Sequence, residues 1–114
     1  MSRQGSRPTI PVPDEIRPLV RRVVDTLHAE EVWLFGSRAR ADHRPDSDWD
    51  LLAVLPDDAT DELMDPLVNW NIAREHPGPV TLLSTRRSEL EAVWGLPSTL
   101  GYDLAREGLL LRVG

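Results

Sequence analysis

Two aspartates, Asp48 and Asp50, open the apolar run DWDLLAVL (48–55), and a Gly36-Ser37 pair closes the apolar run EVWLF (31–35). Side chains two apart on a strand share a face and lie about 7 Å from each other along it. Carboxylates are costly to bury in such a strand, and two so close will not both stay ionised unless a positive charge joins them. Donors that are oxygen only select a hard cation, Mg²⁺ or Mn²⁺, and Mg²⁺ ordinarily arrives with phosphate and water ligands. Gly36-Ser37 offers the complementary half. An apolar strand running into Gly-Ser and then SRARA makes a strand-to-helix turn, whose N–H groups, hydroxyl and dipole suit a phosphate. Gly36 permits close approach, and Arg38, Arg40 or Arg44 can cover the remaining negative charge. These are the parts needed for metal-assisted phosphoryl or nucleotidyl transfer. Taken singly, each has a plainer reading: Ser37 as a helix cap, the aspartates as a solvated strand edge.

The elements that must position these residues follow from pattern. Ile16, Leu19, Val20, Val23, Val24 and Leu27 fall at helical spacing, which predicts a first helix from Asp14 or Arg17 to His28, with Pro18 tolerable only in its first turn. EVWLF reads as a buried strand, SRARA as a short helix capped by Ser37, DHRPDS as a loop, and DWDLLAVL as a second strand. DELMDPLVNWNIAREH is helical in pattern, with Asp65-Pro66 either a kink or a fresh start. PVTLLS is a third strand, RRSELEAVW and STLGYDLARE are helices, Gly108 is a C-cap, and LLLRV is an edge strand or a buried tail. The order αβαβαβααβ implies an α+β (or α/β-like) fold, a small mixed sheet flanked by helices. If the first two strands are antiparallel neighbours, the end of one lies beside the start of the other, and Gly36-Ser37 meets Asp48 and Asp50.

Composition bounds what such a site could serve. A chain of 114 residues holds one core; residues 1–12, rich in proline, read as a flexible lead and 13–114 as a single domain. A net charge of −6 argues against gripping nucleic acid backbones. With no apolar run of membrane-spanning length, no apolar leader and no cysteine, the expected setting is the cytoplasm, away from membranes. Trp33, Trp49 and Trp70 are expected in the core, and His28 and His43 on the surface.

The stretch GSRARADHRPDSDWD is Gly-Ser, ten residues, then Asp-x-Asp. It resembles the signature of the minimal nucleotidyltransferases of the DNA polymerase β-like superfamily, and YDLAREGLLL resembles the closing helix and strand of their small stand-alone members. The similarity runs from about Val32 to Val113 and implies the polymerase β-like nucleotidyltransferase fold. It also implies that Gly36-Ser37 hold the phosphates of ATP, that Asp48 and Asp50 hold Mg²⁺, and that AMP passes to a hydroxyl with release of pyrophosphate. Short members often pair with a HEPN-type toxin, some adenylylating a tyrosine on it as antitoxins. Two positions depart from the family pattern. Ala41 stands where glycine is usual, and Thr81, in Val80-Thr81-Leu82-Leu83, stands where a third carboxylate usually sits. Asp57 and Asp58 lie about 20 Å along the strand from Asp50 and are poor substitutes; Asp103 and Glu89 stay open. Two expectations follow: an enzyme that adenylylates its partner, or a nucleotidyltransferase-fold module that has lost turnover and neutralises that partner by contact. Small-molecule transfer is disfavoured because the chain has no room for a second domain.

Overall fold

The first helix shows how the local pattern becomes structure. In a computed structural model, which describes residues 9–42 and 44–113, a single 3-10 turn at Asp14–Ile16 leads into α1, Arg17–Leu27. Pro18 falls in its first turn, where the missing N–H has no intrahelical partner to lose. Ile16, Leu19, Val20, Val23 and Leu27 are buried on one stripe, and His28 stops the helix in the left-handed region, φ 55°.

The strands are β1 (Thr9–Ile10), β2 (Glu31–Phe35), β3 (Trp49–Leu55), β4 (Val80–Arg86) and β5 (Leu109–Leu111), in the sheet order β1-β5-β2-β3-β4. β2 is antiparallel to β3 and β5, while β3 pairs with β4, and β1 with β5, in parallel. The mixed α+β sheet expected from the pattern is therefore present, with α2 (Ser37–Arg40), α3 (Pro66–Ala73), α4 (Arg87–Val93) and α5 (Leu100–Glu107) between or after the strands.

Alternation along β3 divides the core. Trp49, Leu51, Ala53 and Leu55 pack with the α1 stripe and Ile72 of α3. Leu52 and Val54 face the other way, with Trp33, Leu90 of α4, Leu104 of α5 and Leu110. Leu51 and Leu52 are both fully buried, so truncating either to alanine costs about 2–5 kcal/mol. Asp50 takes its parity from Leu52, which puts it on the α4–α5 face at the open end of β3.

Several expectations are corrected. β5 is not an edge; it lies between β1 and β2, because Thr9-Ile10 pairs with Leu110-Leu111. Residues 9–12 of the expected lead thus belong to the domain, with Ile10 and Val12 packed on the core, while 1–8 lie outside the described residues. Asp48 precedes β3 by one residue and is exposed. Asp61 to Met64 form turns, and α3 starts afresh at Pro66. Proline holds the preceding Asp65 extended (ψ 126°), and its carboxylate accepts from the Leu67 N–H at 2.9 Å. Trp70 is 59% exposed and not in the core. His28 is exposed as expected; His43 lies outside the described residues. Among the described residues no helix is long and apolar enough to cross a membrane.

Candidate active site

Pairing across β2, β3 and β4 sets Phe35, Asp50 and Thr81 in one row, with Gly36 at the end of β2. The antiparallel pairing of β2 with β3 thus brings the Gly-Ser turn to the aspartates. Gly36 has φ 74° and ψ −158°, a region open to glycine almost alone. A Cβ on it would stand 2.1 Å from Oδ2 of Asp50, so glycine is required twice over, by backbone angle and by space. Its carbonyl accepts from the N–H groups of Ala39 (3.1 Å) and Arg40 (3.2 Å), which starts the single turn of α2. Ser37 is consequently the first helical residue and not the cap; Gly36 occupies the cap position, and no side chain caps the turn.

The Asp50 carboxyl titrates above the ordinary carboxylate range. Burial is the largest cause and the charge of Asp48 the next; the Thr81 hydroxyl and the charge of Arg40 pull in the opposite direction. An acid held up by burial and by a like charge is one that an added cation would relieve. Among the described residues no three His, Cys, Asp or Glu side chains gather closely enough to hold a metal alone. The burial of Asp50 and the like charge of Asp48 beside it would suit a hard cation such as Mg²⁺, which takes further ligands from phosphate and water.

The arginines do not all reach the carboxylates. Arg38 donates to the carbonyls of Pro45 and Ser47, at 3.1 Å each, and its guanidinium lies 4.1 Å from the centre of the Trp49 ring. Trp49 belongs to the opposite face of β3, so Arg38 fastens the loop that carries Asp48. Arg40 stays on the Asp50 side, paired with Asp42 (3.2 Å) and with Glu107 at the end of α5 (3.1 Å). Arg44 is exposed, and its backbone N–H donates to Ser47 Oγ at 2.8 Å.

Sequence reasoning missed three supports: Ser47, which closes the Arg44–Ser47 turn; Glu15, which accepts from Trp49 Nε1 at 3.1 Å; and Glu107. Glu15 and Glu107 lie 34 and 67 positions from their partners, so no local signal announces them. Of the acids considered as stand-ins, Asp57 caps the start of α4 through the Ser88 N–H (2.8 Å), and Glu89 pairs with Arg86 (3.6 Å), both at the far end of β3 and β4. Asp103 stands exposed in the first turn of α5, at the end of that helix away from Glu107.

Comparison with known proteins gives the family and the fold. The family model described as "Nucleotidyltransferase domain" matches residues 16–106. Among solved structures, a toxin-antitoxin with AMP-PNP aligns at TM-score 0.58 and 18% identity, covering 89% of this chain and 73% of that one. A protein from Sulfolobus solfataricus assigned as a nucleotidyltransferase aligns at TM-score 0.50 and 24% identity, covering 84% and 80%. At these identities the two structures establish the fold. No protein of curated function matches the sequence.

Proposed function

From a chain that belongs to the nucleotidyltransferase domain family, we propose an antitoxin that binds Mg²⁺ (or Mn²⁺) and ATP and passes AMP to a hydroxyl on a protein partner. The partner proposed is a HEPN-type toxin in the cytoplasm. The observation that carries the reading is the contact of Gly36 with Asp50, too close for any side chain but hydrogen. It sets the Gly-Ser turn against Asp50, a carboxylate that a cation would relieve, with the charge of Asp48 close by. In the proposed roles Gly36 and Ser37 hold the phosphates, Asp48 and Asp50 hold the cation, Arg40 offsets negative charge, and Arg38 fixes the loop bearing Asp48. When bound, the cation would neutralise charge building on the transferring phosphate. The toxin-antitoxin neighbour solved with AMP-PNP favours both the nucleotide and the kind of partner.

Thr81 favours a second reading. It neighbours Asp50 in the position proposed for the third carboxylate, and its hydroxyl faces the Asp50 carboxyl. A neutral hydroxyl cannot share an ion's charge, so a protein that binds nucleotide and neutralises its partner by contact is the alternative. The test is to mix the chain with Mg²⁺, ATP labelled at the α-phosphate, and a candidate toxin. Label on the toxin with stoichiometric pyrophosphate supports the enzyme. Nucleotide-dependent thermal stabilisation without transfer supports the contact antitoxin, and no stabilisation at all defeats both.

A further inference from the structure

The two edges of the sheet are finished differently. β1 is two residues long and runs into Pro11 and Pro13, so it offers almost nothing to pair with. β4 is a seven-residue edge in unbroken register with β3, from Val80 opposite Trp49 to Arg86 opposite Leu55. Edges of this kind are normally blunted by charge, proline, a bulge or a covering element. Residues 80–85, VTLLST, contain no charge, proline or glycine. Among the described residues their backbone makes no hydrogen bond beyond the ladder to β3.

A cleft of about 480 Å³ follows this edge on both faces of the sheet. Asn69, Trp70 and Ala73 of α3 line one side, and Leu83, Thr85 and Leu100 the other. None of its lining residues is charged, in a chain of which 28% of residues are charged. Leu83 is 41% exposed, and Trp70 and the neighbouring Leu67 more so. Arg74, 4.9 Å from the centre of the Trp70 ring, is a charge at the rim. Along residues 80–85 themselves a charged segment would lose its hydration beside a strand with no counter-ion, which selects an uncharged, extended occupant.

We propose that the occupant is β4 of a second copy of the chain, the two strands pairing antiparallel about a two-fold axis and joining two five-stranded sheets into one. VTLLST meets the demand its own groove makes: six uncharged residues rich in β-branched and leucine side chains. A two-fold contact is self-complementary, so one unblunted edge is all that it requires. Backbone hydrogen bonds supply affinity, and Leu83 with Trp70 supplies the apolar anchors. The net charge of −6 on each copy opposes association from outside the slot, so added salt strengthens the pair.

Sedimentation velocity of the full chain across the micromolar range tests this, with Leu83→Lys and Trp70→Ser as variants and circular dichroism confirming that each is folded. A wild-type dimer, tightened by salt and weakened about thirtyfold or more by Leu83→Lys, is expected. The chain has no cysteine, so single thiols report position: Leu83→Cys should yield an oxidised covalent dimer and Leu96→Cys, exposed beyond α4, should not. A wild type monomeric throughout, a dimer indifferent to Leu83→Lys, or cross-linking at Leu96→Cys alone would overturn the proposal.

Discussion

Asp50 and Asp57 stand at opposite ends of one strand, and the protein treats them in opposite ways. Asp50, at the start of β3, is crowded by Gly36, partly buried and repelled by Asp48, so its proton is held more tightly than usual. Asp57, past the end of β3, accepts from the backbone N–H and hydroxyl of Ser88 at the start of α4. Those bonds, with the charges of Arg87 and Arg86, hold its carboxyl below the ordinary range. One carboxylate is satisfied by its own fold; at the other, Thr81 and Arg40 offset only part of what burial and Asp48 impose. That contrast is the one expected between a structural acid and the ligand-holding acid proposed for Asp50.

The comparison breaks most visibly in turnover. If AMP transfer occurs, Asp50→Asn should lower it by about three decades, roughly 4 kcal/mol of transition-state stabilisation, whereas Asp57→Asn should leave it unchanged. Pyrophosphate release measured side by side decides this, and equal losses would remove the distinction. Thr81→Asp should act in the other direction, tightening Mn²⁺ or Mg²⁺ binding and raising transfer ten- to a thousandfold, about 1.4–4 kcal/mol. Unaltered metal affinity in that variant would mean that Thr81 is not the missing carboxylate position.

Ligand linkage comes next in size. Mg²⁺ with ATP at a hundredfold excess over its dissociation constant should stabilise the fold by about 2.7 kcal/mol, and ATP with a chelator far less. The Asp48→Asn, Asp50→Asn double variant should lose the metal-dependent part of the thermal shift, and Asp57→Asn should keep it. Gly36→Ala should cost about 1–3 kcal/mol in denaturant unfolding from backbone strain, with more from the clash against Asp50. Gly78→Ala is the matched control, since the nearest atom to a Cβ there is 3.7 Å away.

The smallest effects are in pH dependence, and they have opposite signs. Because folding raises the Asp50 pKa, metal-free stability falls as pH rises from the ordinary carboxylate value through the raised one. Asp50→Asn should remove that fall. Folding lowers the Asp57 pKa, so its contribution is present above the ordinary value and lost as pH falls through the lower one; Asp57→Asn should remove that loss. Chelated samples melted across the acidic range would show the two variants diverging from wild type on opposite limbs. Parallel curves would show that neither carboxyl is perturbed as described.

Much of this was legible in residue order. The α1 stripe, the apolar strands, a break at Asp65-Pro66 and the Gly-Ser turn are written in spacings of a few residues, because helical period, strand alternation and capping chemistry are local. Strand alternation gave the expectation that Asp48 and Asp50 share a face, and their meeting with Gly36-Ser37 rested on the condition that the first two strands pair antiparallel. Alternation could not tell that Asp48 would fall just outside β3, since strand ends depend on which backbone groups find partners in the neighbouring strand.

Tertiary structure alone decided the rest. The row of Phe35, Asp50 and Thr81 depends on register between strands far apart in sequence, with a parallel crossover between two of them. Arg38 and Arg40 lie two apart on one short turn, yet one is drawn to the loop carbonyls and Trp49, the other to Glu107 across 67 positions. β5 became interior because Thr9-Ile10, in a proline-rich stretch with no periodicity of its own, found its outer edge. Trp70 came to the surface because α3 is short and turns Ile72 and Asn69 inward instead. Local patterns set what each segment can form; which free edge, carbonyl or carboxylate it then meets is settled only when the chain closes on itself and backbone groups compete for partners.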